Sequence, residues 1–101
     1  MAQFDVHPLT DEAGGGLVVD CQSDLLDHIG SRFVVPLIPR ADAPPPARGL
    51  NPVFTIESED YVMLTQSASA VRRRHLGGPI RSLEDRRLEI VSALDMLISG
   101  V

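Results

Sequence analysis

Residues 82–101 read SLEDRRLEIVSALDMLISGV, and the periodicity of this stretch decides the architecture. At about 100° per residue, Leu83, Ile90, Val91, Leu94, Leu97, Ile98 and Val101 fall on one arc. Asp85, Glu89, Ser92, Asp95 and Ser99 lie opposite, and Ser82 followed by Asp85 supplies a helix-start signal. The segment is predicted to be an amphipathic helix packed on a sheet. Leu88 and Met96 share its polar face and Arg87 intrudes on the apolar one. Leu88 and Met96 are therefore candidates for a contact surface, although single exposed apolar residues are common without one.

Working back from the helix, the chain reads as strands. Ala2 to Pro8, around Phe4 and Val6, alternates as a first strand, and Asp11 to Gly16 has the turn chemistry to reverse it. Leu17 to Gln22 places Leu17, Val19 and Cys21 on an inward face. Ser31 to Ile38 is β-rich, and its Pro36, which cannot donate to a ladder, predicts an edge position or a bulge. Pro39 to Gly49 is rich in proline and reads as an exposed, semi-rigid loop. Val53 to Ile56 and Tyr61 to Leu64 flank Glu57-Ser58-Glu59-Asp60 as a hairpin. Ser67 to Val71 is a further short strand candidate, before the breaker Gly77-Gly78-Pro79.

A chain of 101 residues has room for one domain, 1–101, whose core is marginal by itself, so a homodimer is expected. The single cysteine, Cys21, excludes an internal disulfide. The opening MAQFDVHP lacks the charged and apolar regions of a leader, and no apolar run nears the roughly 20 residues that span a bilayer. A cytoplasmic protein is the expectation. All nine basic residues are arginine and the formal charge is −5, which disfavours nucleic acid except at a local basic patch. The charge is uneven: residues 1–64 carry −7 and residues 65–101 carry +2, a layout suited to an acidic peptide.

Residue chemistry gives few catalytic leads. His7, His28 and His75 have no metal-ligand spacing and read as surface or capping residues. Cys21 sits in a strand pattern near acids, which predicts a buried, inert thiol. Gly14-Gly15-Gly16 precedes a strand, whereas a phosphate loop follows one, so it reads as a turn. Arg72-Arg73-Arg74-His75 is the one concentrated basic feature, open to phosphates, an acidic partner segment or water. With only four aromatics, Phe4, Phe33, Phe54 and Tyr61, stacking on nucleic acid is disfavoured. No catalytic residue, metal or cofactor is expected.

Four segments then match one family in order: Gln3-Phe4-Asp5-Val6, Val19 through Asp27, Arg32-Phe33-Val34-Val35-Pro36-Leu37, and Leu50-Asn51-Pro52-Val53. With the terminal segment Leu83 to Val101 and the overall length, they resemble the CcdB toxins of bacterial toxin–antitoxin pairs. The resemblance implies a mainly β fold, an antiparallel SH3-like barrel of the CcdB/MazF type with one C-terminal α-helix, assembled as a twofold dimer. It also implies binding to the DNA gyrase A subunit, trapping of the gyrase–DNA cleavage complex, and neutralisation by a CcdA-like antitoxin. Family members help to repress their own operon, and touch DNA only through antitoxin or gyrase.

Carried over by position, the implied gyrase contacts are Leu25, Leu26, Asp95, Ile98, Ser99, Gly100 and Val101. The best-known toxins have tryptophan where this chain has Ser99, phenylalanine at Ile98 and asparagine at Asp95. An indole on a partner arginine supplies binding energy that serine does not. A non-poisoning paralogue that binds antitoxin as a co-repressor is thus the alternative, with Arg72, Arg73, Arg74 and the Pro39–Gly49 loop as its antitoxin contacts. A MazF-like endoribonuclease ranks last, because no acid–base pair can be assembled from the histidines and arginines.

Overall fold

A computed structural model describes residues 2–100. Seven strands and one helix follow in order: β1 Asp5–Pro8, β2 Leu17–Asp20, β3 Ser31–Pro39, β4 Val53–Ile56, β5 Glu59–Met63, β6 Ser69–Arg72, β7 Arg81–Ser82 and α1 Arg87–Ser99. The strands form a nearly closed antiparallel barrel sheet in the order β4-β5-β3-β2-β1-β7, with β6 also on β3. The mainly β fold with one terminal helix is the one expected from the sequence.

The nine-residue β3 is the hub. Leu17–Asp20 of β2 pairs along one side of it, while β6 pairs with Ser31–Val34 and β5 with Leu37–Pro39 on the other. Pro36 therefore does not mark an edge, contrary to expectation. Its carbonyl accepts the Leu64 N–H at 2.9 Å, so its nitrogen faces the same side, where the chain crosses from β5 to β6. The missing N–H falls at a break between two ladders and costs no strand hydrogen bond.

The main core lies between the sheet and α1. Phe4, Val6, Val19, Val35, Leu37, Phe54, Ile56 and Met63 meet Leu83, Ile90 and Ala93 there. The predicted arc of the helix is only partly right. Leu83, Ile90 and Leu94 do face the sheet, but Ala93 joins them, whereas Val91 and Leu97 are exposed and Ile98 is 83% exposed. The buried stripe is rotated towards Ala93, whose small side chain lets the helix approach the sheet. Val101 lies outside the described residues. The helix also starts later than predicted: Ser82 Oγ accepts the Glu84 N–H at 3.2 Å and opens a 3-10 turn, Glu84–Arg86, before α1.

The second face of β2, expected to be outward, is covered as well. Val18 packs with Val34 and Leu76, and Asp20 is fully buried. The β6 strand has one open side. Arg73 N donates to Gly30 O at 3.1 Å, and the antiparallel alternation from that bond turns the main-chain groups of Ala70 and Arg72 away from β3.

The β4–β5 connection is a two-residue turn rather than a four-residue one. Ile56 pairs with Glu59, and both intervening residues are left-handed, Glu57 at φ 50° and Ser58 at φ 68°. That pattern suits the twist of a hairpin but favours glycine and asparagine. Replacing Ser58 by glycine is expected to stabilise the chain by about 0.5–1 kcal/mol, read as a higher urea midpoint at unchanged slope; a lower midpoint would contradict the strain assigned to this turn.

Candidate partner-binding surfaces

Leu25 and Leu26 stand on a 3-10 turn, Asp24–Leu26, between β2 and β3. The local sequence builds it: Ser23 Oγ accepts the Leu25 N–H at 3.2 Å, and Gln22 Nε2 donates to Leu26 O at 3.0 Å. Gln22 Oε1 accepts from Phe33 N at 2.9 Å, tying the turn to β3, and Asp24 Oδ1 accepts from Gln3 N at 2.8 Å. With its backbone held, the turn leaves Leu25 88% exposed and Leu26 and Ile29 partly so.

Behind it lies a buried ion pair. Arg32 and Asp20 have no side-chain exposure, with Arg32 Nη2 2.8 Å and Nε 2.9 Å from Asp20 Oδ2. Arg32 Nη1 reaches Asp27 Oδ1 at 3.1 Å, and Asp20 Oδ1 accepts the Gln22 N–H at 3.0 Å. Neither Arg32 nor Asp20 is legible from sequence as a buried residue, because alternation along β2 assigns Asp20 to the solvent face.

The second group of predicted contacts is the end of α1. Asp95, Ile98 and Ser99 are exposed, Ser99 Oγ donates back to Asp95 O at 2.7 Å, and Gly100 closes the helix at φ 74° with its N–H on Met96 O at 2.9 Å. No hydrogen bond or ion pair among the described residues joins this end to the Leu25–Leu26 turn. The ties of that turn lead to Gln3, and next to Gln3 the Phe4 ring lies under Arg87, 5.6 Å away, in the first turn of α1. The links of the turn thus run towards the first turn of α1 and not towards its end.

A third surface was not predicted as a cavity. The proline loop and α1 enclose a groove of about 370 Å³ lined by Pro46, Arg48, Gly49, Leu88, Glu89 and Ser92, among others. Asn51 fixes the loop: its Nδ2 donates to Met63 O at 3.0 Å and Gln66 Oε1 at 2.8 Å, and its Oδ1 accepts from Ala47 N at 3.0 Å. Gly49, at φ 79°, passes so close to Met96 that a Cβ would lie 3.2 Å from the sulfur. Met96 is thus packed under the loop, while Leu88, 78% exposed, borders the groove.

The arginine run divides. Arg72 and Arg74 are exposed, whereas Arg73 folds back over the β2–β3 loop. The histidines divide too. His7 is fully buried, not a surface residue, with Nδ1 2.8 Å from Gly77 O, because its face of β1 is roofed by the segment returning towards β7. His75 Nε2 lies 3.4 Å from Glu12 Oε1, and His28 is exposed. No three His, Cys, Asp or Glu side chains among the described residues come together to hold a metal. Burial, with Asp20 adding to it, pushes the Cys21 thiol up to about 12.

The family described as "CcdB protein" matches residues 3–100. The chain belongs to the CcdB family. Among solved structures it is similar to an endoribonuclease in complex with its cognate antitoxin, from a mycobacterial species, at 12% identity and a TM-score of 0.78, covering 97% of this chain and 94% of that one. It is also similar to a MazE–MazF crystal structure from Deinococcus radiodurans, at 14% identity and a TM-score of 0.74, covering 98% and 95%. At such identities these two likenesses bear on the fold. CcdB membership supports a toxin of a toxin–antitoxin system. No helix among the described residues is long and apolar enough to cross a membrane.

Two outcomes follow from this geometry. Asp20→Asn, which leaves Arg32 buried without its countercharge, is expected to cost about 3–5 kcal/mol in urea unfolding; a loss below 1 kcal/mol would show the pair to be dispensable. Cys21 ionises more readily unfolded, near 9, than folded, near 12, so stability falls as pH rises between those values. A Cys21→Ala chain should lose this part of the alkaline slope.

Proposed function

We propose that this chain is the toxin of a type II toxin–antitoxin pair, a homodimer of one toxin domain per chain, acting in the cytoplasm on the DNA gyrase A subunit. In this reading it traps the gyrase–DNA cleavage complex and is neutralised by a CcdA-like antitoxin. The observation that carries the reading is the end of α1, where Asp95, Ile98 and Ser99 stand free of the sheet and Gly100 turns the chain away in a left-handed cap. Doubled by a twofold axis, such an end offers a paired wedge to a twofold target. Leu25 adds an exposed apolar contact on a fixed turn. No catalytic group is needed, since the cleavage chemistry belongs to gyrase.

One observation favours a second reading, a non-poisoning paralogue that holds antitoxin as a co-repressor. Ser99 gives its hydroxyl to Asp95 O, inside its own helix, and offers a partner arginine no ring to stack on. In either reading Arg72 and Arg74, exposed on an otherwise acidic chain, suit an acidic antitoxin segment. An endoribonuclease reading has less support, because His7 is buried and His75 is turned to Glu12.

A cleavage assay with host gyrase, supercoiled plasmid and ATP separates the two readings. Linear DNA is expected to accumulate, and Ser99→Trp to raise potency roughly thirtyfold, corresponding to about 2 kcal/mol for a central aromatic contact. No linear DNA well above about 1 μM protein, with binding to the cognate antitoxin intact, would defeat poisoning and leave the co-repressor.

A further inference from the structure

Arg73 stands inside a run of three arginines, yet its surroundings differ from those of its neighbours. Arg72 and Arg74 are exposed, while the Arg73 side chain is 37% exposed and crosses to the loop between β2 and β3. Its Nη2 donates to the main-chain carbonyls of Asp27 and Ile29, the latter at 3.2 Å, and lies 3.6 Å from Asp27 Oδ1. The same carboxylate oxygen receives Arg32 Nη1 at 3.1 Å. Asp27 is therefore bracketed by two guanidinium groups, one fully buried and one half-buried. Arg73 N also donates to Gly30 O, so its main chain and side chain grip the same short loop.

The start of the loop has other ties, from Gln22 to Leu26 O and from Gln3 N to Asp24, but among the described residues the carbonyls of Asp27 and Ile29 are held by Arg73 alone. The loop's own main-chain bonds are local ones, Leu26 N to Ser23 O, Asp27 N to Asp24 O and Ile29 N to Leu26 O. It nonetheless presents Leu25, Leu26 and Ile29 to water, an arrangement that a loose segment would tend to collapse. All three contacts are made by one nitrogen, Nη2, so a charged donor placed at that point, rather than a bidentate fork, is what holds the loop.

We infer that Arg73 is a positioning residue, which holds the Leu25–Ile29 turn in the form that meets the gyrase A subunit, and is not itself a contact for an acidic partner. The inference rests on the gyrase reading given above. Holding the turn beforehand removes the cost of ordering it on binding. The role belongs to Arg73 alone within the run, since Arg72 and Arg74 make no described hydrogen bond or ion pair to the loop.

The test uses the full chain and three variants, Arg73→Gln, Arg73→Lys and, at an exposed arginine elsewhere, Arg81→Gln. Amide hydrogen exchange is followed at residues 25–30 in the free protein, and affinity is measured by calorimetry against purified gyrase A subunit. Arg73→Gln is expected to speed exchange across the loop and weaken binding about tenfold through lost preorganisation, with strand amides of β1 and β2 unchanged. Arg73→Lys should recover part of both effects, and Arg81→Gln should alter neither. Weakened binding without faster loop exchange would make Arg73 a direct contact and overturn the inference. Unchanged exchange in Arg73→Gln overturns it whatever the affinity. A wild-type chain that binds no gyrase A subunit defeats the gyrase reading, and with it the purpose assigned to the clasp, while the exchange data still report whether the clasp orders the loop.

Discussion

Arg32 and Asp20 face each other across β3 and β2 with no exposure to solvent, and much of the architecture at that end of the barrel depends on their contact. A lone guanidinium or carboxylate could not be left there, because the desolvation cost in a dry interior exceeds what a small domain has to spare. Paired, they fix the register of two strands. Asp20 also receives Gln22 N through its carboxylate and Phe4 N through its carbonyl, so the entry to β1, the end of β2 and the turn after it share one anchor. From Arg32 the network passes outward through Asp27 to the surface. Exposed leucines can therefore stand on a turn whose footing is rigid.

The fold was legible wherever one element obeyed one period. Val19 and Cys21 lie in the main core, as the alternation along β2 predicts, and the helix announced itself by its 3.6-residue repeat. Reading failed where tertiary pairing overrode local rules. Pro36 looks like an edge residue until two different strands meet on its side of β3. The helix stripe was misplaced because Ala93 weighs little on any apolar scale, yet its size decides which face can approach the sheet.

The candidate surfaces were legible in a different sense. Periodicity does not distinguish Leu25 from a core leucine, and its position came from likeness to a family, not from pattern. Asp20, Arg32, Asn51 and His7 escaped because a polar residue on a nominally outer face reads as solvated, and only the chain folded over that face shows it to be covered. The arginine run illustrates the limit well: three identical side chains in a row have different surroundings, and sequence holds no sign of which one turns inward.

The open side of β6 has a consequence for how this chain behaves in a crowd. Main-chain groups of Ala70 and Arg72 point away from the sheet, and such a row is a template for joining one sheet to the next. Arg72 on that strand and Arg74 just beyond it set positive charge against positive charge whenever two copies approach edge to edge. The guard is ionic, not steric, and works over a Debye length of about 8 Å at physiological salt but about 3 Å at 1 M. Colloidal stability of this protein is thus tied to ionic strength, and concentrated salt removes the barrier that keeps these edges apart.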